Sequence, residues 1–129
     1  MADLKLTLSA LEGRFAVCRL SPRSDIPAWA VNETFFSITR TLEELSIICP
    51  EDRVPEGERR EAGWRCLKVE GPLDFSMVGA MAALAAPLGN AGISILAIAT
   101  FDTDYLLVRE KDFERAISEL SGAGHTVRA

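Results

Sequence analysis

Two short polar segments carry the side chains of this sequence that are able to do chemistry. The first, residues 100–104, reads Thr-Phe-Asp-Thr-Asp and lies between two apolar stretches typical of β-strands. Its carboxylates and hydroxyls suit an amino group or a cationic side chain better than acid–base catalysis, since no other catalytic group is in sight. The alternative is an ordinary polar hairpin turn, in which Asp is a common residue.

The second segment, residues 71–76, reads Gly-Pro-Leu-Asp-Phe-Ser and lies where a predicted strand passes into a predicted helix. A helix N-terminus presents free N–H groups and the positive end of the helix dipole, so it attracts carboxylates. Gly71 would let a ligand approach the backbone closely, and Asp74 could instead meet a ligand ammonium group. The alternative is that Asp74 or Ser76 only caps the helix, which is worth about 1 kcal/mol.

Other residues that often bind metals or carry out catalysis give little support for either role. The single histidine, His125, has no metal-ligand partner at a suitable spacing and is predicted to be a surface or edge residue. The cysteines form no C-x-x-C pair and are predicted to be small buried apolar residues; they lie at positions 18, 49 and 66. We therefore predict no metal, no cofactor and no catalytic residues.

Composition limits the class of protein. The chain has 129 residues, 48% of them hydrophobic and 26% charged, which fits one compact domain or two very small ones. A net charge of −5 without a basic cluster argues against nucleic acid as a partner. No apolar run is long enough for a membrane span, and no signal-peptide pattern precedes the first strand. With scattered, unpaired cysteines, these features predict a cytoplasmic protein.

The elements that must position the two segments are clearest in the second half of the chain. Strand-like and helix-like patterns alternate there as β-α-β-β-α-β, the ferredoxin-like arrangement, which places two helices on one face of an antiparallel sheet. The stretch 93–100 is almost entirely apolar and is predicted to be covered on both faces. The second helix is predicted from apolar residues at helical spacing: Phe113, Ala116, Ile117 and Leu120.

The first half has a similar but abbreviated pattern. Strands alternate there with short turns in place of helices, and residues 4–11 read as an added strand. Residues 51–63 are rich in charge and are predicted to form an exposed loop between the halves. The predicted organisation is an α+β chain with an abbreviated N-terminal half, residues 1–62, and a complete βαββαβ unit, residues 63–129.

Several runs of the sequence resemble the ACT-domain family. The similar branch is the one that small bacterial ACT proteins share with the cytosolic arginine sensors of animals, itself similar to the regulatory domain of aspartate kinases. The resemblance covers most of the chain, and its most specific part is the order of the C-terminal runs. The matching runs are residues 13–18, 35–41, 44–46, 49–50, 71–76, 91–95, 100–105 and 107–108.

The resemblance implies a regulatory fold, usually dimeric, that binds an amino acid or a similar small metabolite between two ACT units. Ligand contacts are then expected from Gly71, Asp74, Thr100, Phe101 and Asp104 of one unit and from Ser94 and Ile95 of the facing unit. A homodimer, or the abbreviated first half, would have to supply the facing unit.

Three hypotheses about function follow, in order of preference. The first is an amino-acid sensor that is not an enzyme. The second is a module that has lost ligand binding and only dimerises or docks on a partner enzyme. The third is a metal-dependent hydrolase that uses Asp74, Asp102 and Asp104.

Overall fold

The computed structural model describes residues 4–71 and 79–129, which form two compact units. One unit comprises Met1–Glu12 and Arg65–Ala129, and the other comprises Gly13–Trp64. The described strands are β1 (Thr7–Ala10), β2 (Phe15–Leu20), β3 (Ser37–Arg40), β4 (Leu45–Pro50), β5 (Arg60–Val69), β6 (Ile95–Ala99), β7 (Asp104–Arg109) and β8 (Thr126–Arg128). The described helices are α1 (Ala80–Asn90) and α2 (Phe113–Gly122).

The unit that contains both helices has the predicted βαββαβ order, from β5 to β8. Its strands lie in the order β8-β1-β5-β7-β6, so β1 is inserted into the ferredoxin-like order between the last and the first strand. The added strand predicted over residues 4–11 is therefore present. It pairs antiparallel with β5 and parallel with β8, with Thr7 opposite Thr126, so the sheet is antiparallel apart from this pair. The division predicted at residue 62 differs from this grouping, because residues 4–12 pack with the second half.

A single apolar core joins the sheet of this unit to its helices. Alternate residues of each strand face the same side, so β1, β5 and β7 all contribute to this core. The predicted spacing of α2 is confirmed, because Phe113, Ala116 and Leu120 are buried and Ile117 packs beside them. Each fully buried leucine contributes about 1.5–3 kcal/mol. The core residues are Leu6, Leu8, Leu67, Val69, Ala80, Leu84, Leu88, Ile93, Leu106, Val108, Phe113, Ala116 and Leu120.

The two helices end in the same hydrogen-bonded motif. After α1, the Ile93 N–H donates to the Leu88 carbonyl at 2.9 Å, and Gly92 has φ of +75°. After α2, the His125 N–H donates to the Leu120 carbonyl at 3.1 Å, and Gly124 has φ of +99°. These are Schellman caps, and the left-handed conformation explains why glycine follows both helices. The start of α1 at Ala80 is later than predicted; Asp74 and Ser76, its predicted caps, lie outside the described residues.

His125 is buried rather than at the surface, which corrects the prediction from sequence. The residue is 5% exposed, and its Nδ1 accepts a hydrogen bond from the Leu6 N–H at 3.1 Å. The Nε2 atom therefore carries the ring hydrogen and donates to the Ala83 carbonyl at 3.0 Å. That carbonyl lacks the usual helical donor, because the residue four positions on is Pro87, which has no N–H. The histidine thus supplies a donor to a helix carbonyl that proline deprives of its i+4 bond.

The other unit has the same order of elements with its helices reduced to single turns. Its four strands lie in the order β3-β4-β2-β5, which is the ferredoxin-like order for a β-turn-β-β-turn-β chain. Single 3-10 turns at Ala28–Ala30 and Glu51–Arg53 stand where the two helices would be. A second core covers one face of this sheet; its buried residues are Ala16, Cys18, Ala30, Leu45, Ile47, Cys49 and Val54.

The segment predicted as an exposed loop, residues 51–63, is largely built into this unit. Strand β5 already begins at Arg60, whose guanidinium donates to the carbonyls of Val54, Pro55 and Glu58. The Glu51 carboxylate accepts a hydrogen bond from the Gly63 N–H and forms an ion pair with Arg14, and both distances are 2.9 Å. The predicted exposed loop is therefore present over residues 51–59, most of which are exposed, and ends at Arg60, where β5 begins.

No helix within residues 4–71 and 79–129 is long and apolar enough to cross a membrane.

Candidate functional site

The polar segment 100–104 forms the tight turn between β6 and β7. The Thr100 N–H donates to the Thr103 carbonyl at 2.8 Å, and the Thr100 hydroxyl donates to the same carbonyl at 2.9 Å. The Thr100 oxygen also accepts from the Thr103 N–H at 3.2 Å. Because its hydroxyl forms hydrogen bonds within the turn, Thr100 has less hydrogen-bonding capacity left for a ligand and mainly stabilises the conformation of the turn.

The turn is fastened to the end of the neighbouring strand β5. The Thr103 hydroxyl donates to the Val69 carbonyl at 2.6 Å, and Thr103 is only 5% exposed. Gly71 follows Val69 by two residues and is exposed. The structure therefore brings the turn and the start of the second predicted segment to the same end of one sheet. Asp74, the charged residue predicted from that segment, lies outside the described residues.

The tip of the turn combines an exposed aromatic ring with carboxylates. Phe101 is 79% exposed, although its side chain is large and hydrophobic. Asp102 beside it is also exposed, and Asp104, the first residue of β7, is half-buried and stands opposite Ala99. An exposed ring and two carboxylates favour a cationic group over an anionic one, by cation–π attraction and by charge.

Ser94 and Ile95 lie at the opposite end of β6 from the turn. Six residue steps separate Ser94 from Thr100, which in an extended strand is about 20 Å. One small ligand in one copy of the chain does not reach both groups of residues. The assignment of Ser94 and Ile95 to the facing unit stays a prediction.

Strand β6 is an edge strand, which corrects the prediction that both of its faces are covered. Within the described part of the chain it pairs with β7 alone. Ala97 and Ala99 are exposed, and Leu96 and Ile98 are only half-buried. An apolar edge strand with unpaired backbone groups is a ready surface for pairing with another strand.

The hairpin register determines which backbone groups of β6 face outward. Thr100 and Thr103 form a hydrogen-bonded pair, and such pairs recur at every second residue of an antiparallel ladder. The even-numbered positions of β6 therefore bond to β7. The N–H and C=O groups of Ile95, Ala97 and Ala99 point away from the sheet.

The described residues contain no group of three or more His, Cys, Asp or Glu side chains placed to hold a metal ion. All three cysteines are free and buried. Burial raises the pKa of the Cys66 thiol to about 12. The hydrogen bond between Cys18 and Cys49, together with burial, raises the pKa of Cys49, whereas that hydrogen bond and then Arg60 lower the pKa of Cys18.

We expect the three thiols to resist alkylation in the folded protein. A thiol must be exposed and ionised to react, and burial excludes the reagent from all three. With iodoacetamide at pH 8, mass spectrometry should find the folded chain unmodified after a time that labels the urea-unfolded chain three times. Labelling of any cysteine at the unfolded rate would contradict this placement of the side chains.

Comparisons with known proteins agree with the fold. A family model described as an ACT domain matches residues 59–121. A second family model, described only as an N-terminal domain, matches residues 13–57. The chain belongs to the ACT-domain family, and its α+β sheet with two helices is the ferredoxin-like fold of that family.

Among characterised proteins, the chain is similar to subunit 1 of the cytosolic arginine sensor for mTORC1. It is 32% identical to the protein from Bos taurus over 98 residues, which cover 67% of this chain and 30% of that protein. The human protein is 31% identical over the same extent. The chain therefore spans about a third of the length of these relatives.

Solved structures extend the similarity to nearly the whole chain. Protein Atu0741 from Agrobacterium tumefaciens is 43% identical, with a TM-score of 0.92, and the match covers 96% of this chain and 92% of that one. The regulatory subunit of aspartate kinase from Thermus thermophilus has a TM-score of 0.63 at 10% identity, covering 95% and 99%. The second match concerns the fold alone.

Proposed function

We propose that this chain is a cytoplasmic regulatory protein, without catalytic activity, that binds an amino acid or a similar small metabolite between two copies of itself. The relatives that support this proposal are a sensor and a regulatory subunit rather than catalytic domains. The similar sensor is a cytosolic protein, which supports the location. The observation that carries the proposal is the outward-facing edge of β6.

Two copies of β6 are able to pair antiparallel about Ala97. That residue lies at the middle of the strand, and its N–H and C=O groups face outward, as a hydrogen-bonded pair requires. Pairing about Ala97 places Ile95 opposite Ala99 of the second copy. It also places Ser94 opposite Thr100 of the second copy. The two groups of predicted ligand residues, separate in one chain, then meet at both ends of the paired strands.

The small side chains of the edge favour this pairing. Ala97 and Ala99 are exposed and add no bulk between the strands, while the half-buried Leu96 and Ile98 lie on the other face. Closing the edge would satisfy three outward-facing residues in each copy. It would also cover an apolar strand that is otherwise open to aggregation.

The charge of the turn favours a ligand with a positive group. Asp102 and Asp104 supply the carboxylates and Phe101 the ring, so an ammonium or guanidinium group fits this side of the site. Because the similar protein is an arginine sensor, L-arginine is the first compound to test. A partner enzyme whose activity is regulated by the dimer would complete the function.

We expect one amino acid to raise the melting temperature of the purified protein by several degrees. A ligand at 100 times its dissociation constant adds about 2.7 kcal/mol to the free energy of unfolding. The measurement is a thermal-shift screen with L-arginine and the other nineteen amino acids. Asp104→Asn should remove the response, because it deletes a carboxylate while keeping the size of the side chain.

Glu114→Gln is the matched control for Asp104→Asn. It also removes one negative charge, but from the exposed start of α2, which follows the far end of β7 from the turn. Its response should equal that of the unmodified protein. A dimer that responds to no amino acid at millimolar concentration would contradict the sensor and favour an interaction module that docks on a partner enzyme.

A further inference from the structure

We infer that Thr103 is a positioning residue for the ligand site, holding the turn 100–104 against the end of β5 through its hydroxyl. This inference rests on the proposed function and adds a residue that is not among the ligand contacts expected from the sequence. Its basis is a buried hydroxyl that is bonded to the last residue of β5.

The register of β5 shows which way the Val69 carbonyl points. The Glu70 N–H donates to the Thr7 carbonyl at 2.7 Å, and the Leu11 N–H donates to the Cys66 carbonyl at 2.9 Å. The even-numbered positions of this part of β5 therefore bond to β1, and the Val69 carbonyl faces the side of β7. Strand β7 begins only at Asp104.

Thr103 supplies a hydrogen-bond partner for the Val69 carbonyl. Its hydroxyl donates at 2.6 Å, a short and therefore well-formed bond. The same residue is bonded through its N–H and its C=O to Thr100. One side chain thus connects the turn that carries Phe101 and Asp104 to the strand that leads to Gly71. Loss of the hydroxyl would leave the hydrogen bonds within the turn intact but would remove its bond to β5.

The test compares Thr103→Val, which keeps the shape and deletes the hydroxyl, with Thr103→Ser, which keeps the hydroxyl and deletes the methyl group. Hydrogen exchange of the amides in residues 100–104 is measured by NMR on the full chain, relative to the amides of Leu106 and Leu107. We expect about tenfold faster exchange in the turn of Thr103→Val, and the unmodified rate in Thr103→Ser. The ratio within one strand separates local release from global unfolding.

The ligand readout is the dissociation constant for L-arginine, or for whichever of the twenty amino acids gives the thermal shift. It should weaken about tenfold in Thr103→Val and remain unchanged in Thr103→Ser. Equal exchange in Thr103→Val and the unmodified protein would overturn the positioning role, and so would fast exchange in Thr103→Ser. If the unmodified protein responds to no amino acid, the proposed function fails, while the exchange comparison still decides the role of Thr103.

Discussion

Replacing His125 by leucine is expected to lower the free energy of unfolding by about 2–6 kcal/mol, the largest stability effect predicted for a single polar residue of this chain. The leucine fills a similar volume but leaves the Leu6 N–H and the Ala83 carbonyl buried without partners. Each such group costs about 1–3 kcal/mol. Urea denaturation of the two proteins, followed by circular dichroism, measures the difference.

A second substitution tests the reason for this loss. Pro87→Ala gives α1 an N–H at the position that normally bonds to the Ala83 carbonyl. In that background His125→Leu should cost about 1–3 kcal/mol less, because only the Leu6 N–H is left unpaired. Equal losses in both backgrounds would show that packing of the ring, rather than its bond to Ala83, accounts for the effect.

The local patterns of the sequence predict most of the elements, because those patterns report local physics. The spacing of Phe113, Ala116 and Leu120 predicts α2 and the face it buries, since helical period and burial are set within a few turns. The glycines at 92 and 124 mark helix ends for an equally local reason, the left-handed cap. The alternating residues 4–11 likewise predict an added strand.

The features that the sequence does not predict depend on distant partners. His125 looks like a surface residue in the sequence because its two partners, Leu6 and Ala83, are 119 and 42 residues away. The apolar composition of β6 is the same for a central strand and for an edge strand. The two are distinguished by strand pairing, which for β6 involves β7 alone among the described residues. Thr103 likewise looks like an ordinary polar turn residue in the sequence, because its partner Val69 is 34 residues away.

For the candidate site, the sequence predicts the residues, and the structure gives their arrangement. The sequence predicts which residues contact the ligand, including Ser94 and Thr100, but not how residues at opposite ends of β6 act together. The hydrogen bonds of the turn determine which backbone groups of β6 face outward, and these groups restrict antiparallel pairing with a second copy to odd-numbered residues. The alternation of outward-facing backbone groups along β6 thus relates the predicted residues to a dimer that can be tested.

Ala97→Pro is expected to convert the proposed dimer into a monomer and to abolish the amino-acid response. Because the Ala97 N–H faces outward, proline removes no bond within the chain, and proline is tolerated at such edge positions. Both Ala97 N–H groups at the centre of the paired strands are lost, and the two rings collide there. The loss of about 2–3 kcal/mol weakens dimerisation about 100-fold, which sedimentation equilibrium measures.

Ile98→Pro is the matched substitution one residue along the same strand. Its N–H belongs to the ladder with Tyr105, so proline at this position should lower the stability of the chain itself by about 3 kcal/mol or more. The two variants thus exchange their effects: Ala97→Pro acts on assembly and Ile98→Pro on folding. A dimer that survives Ala97→Pro, with its ligand response intact, would exclude the β6 edge as the interface and move the facing unit to another surface.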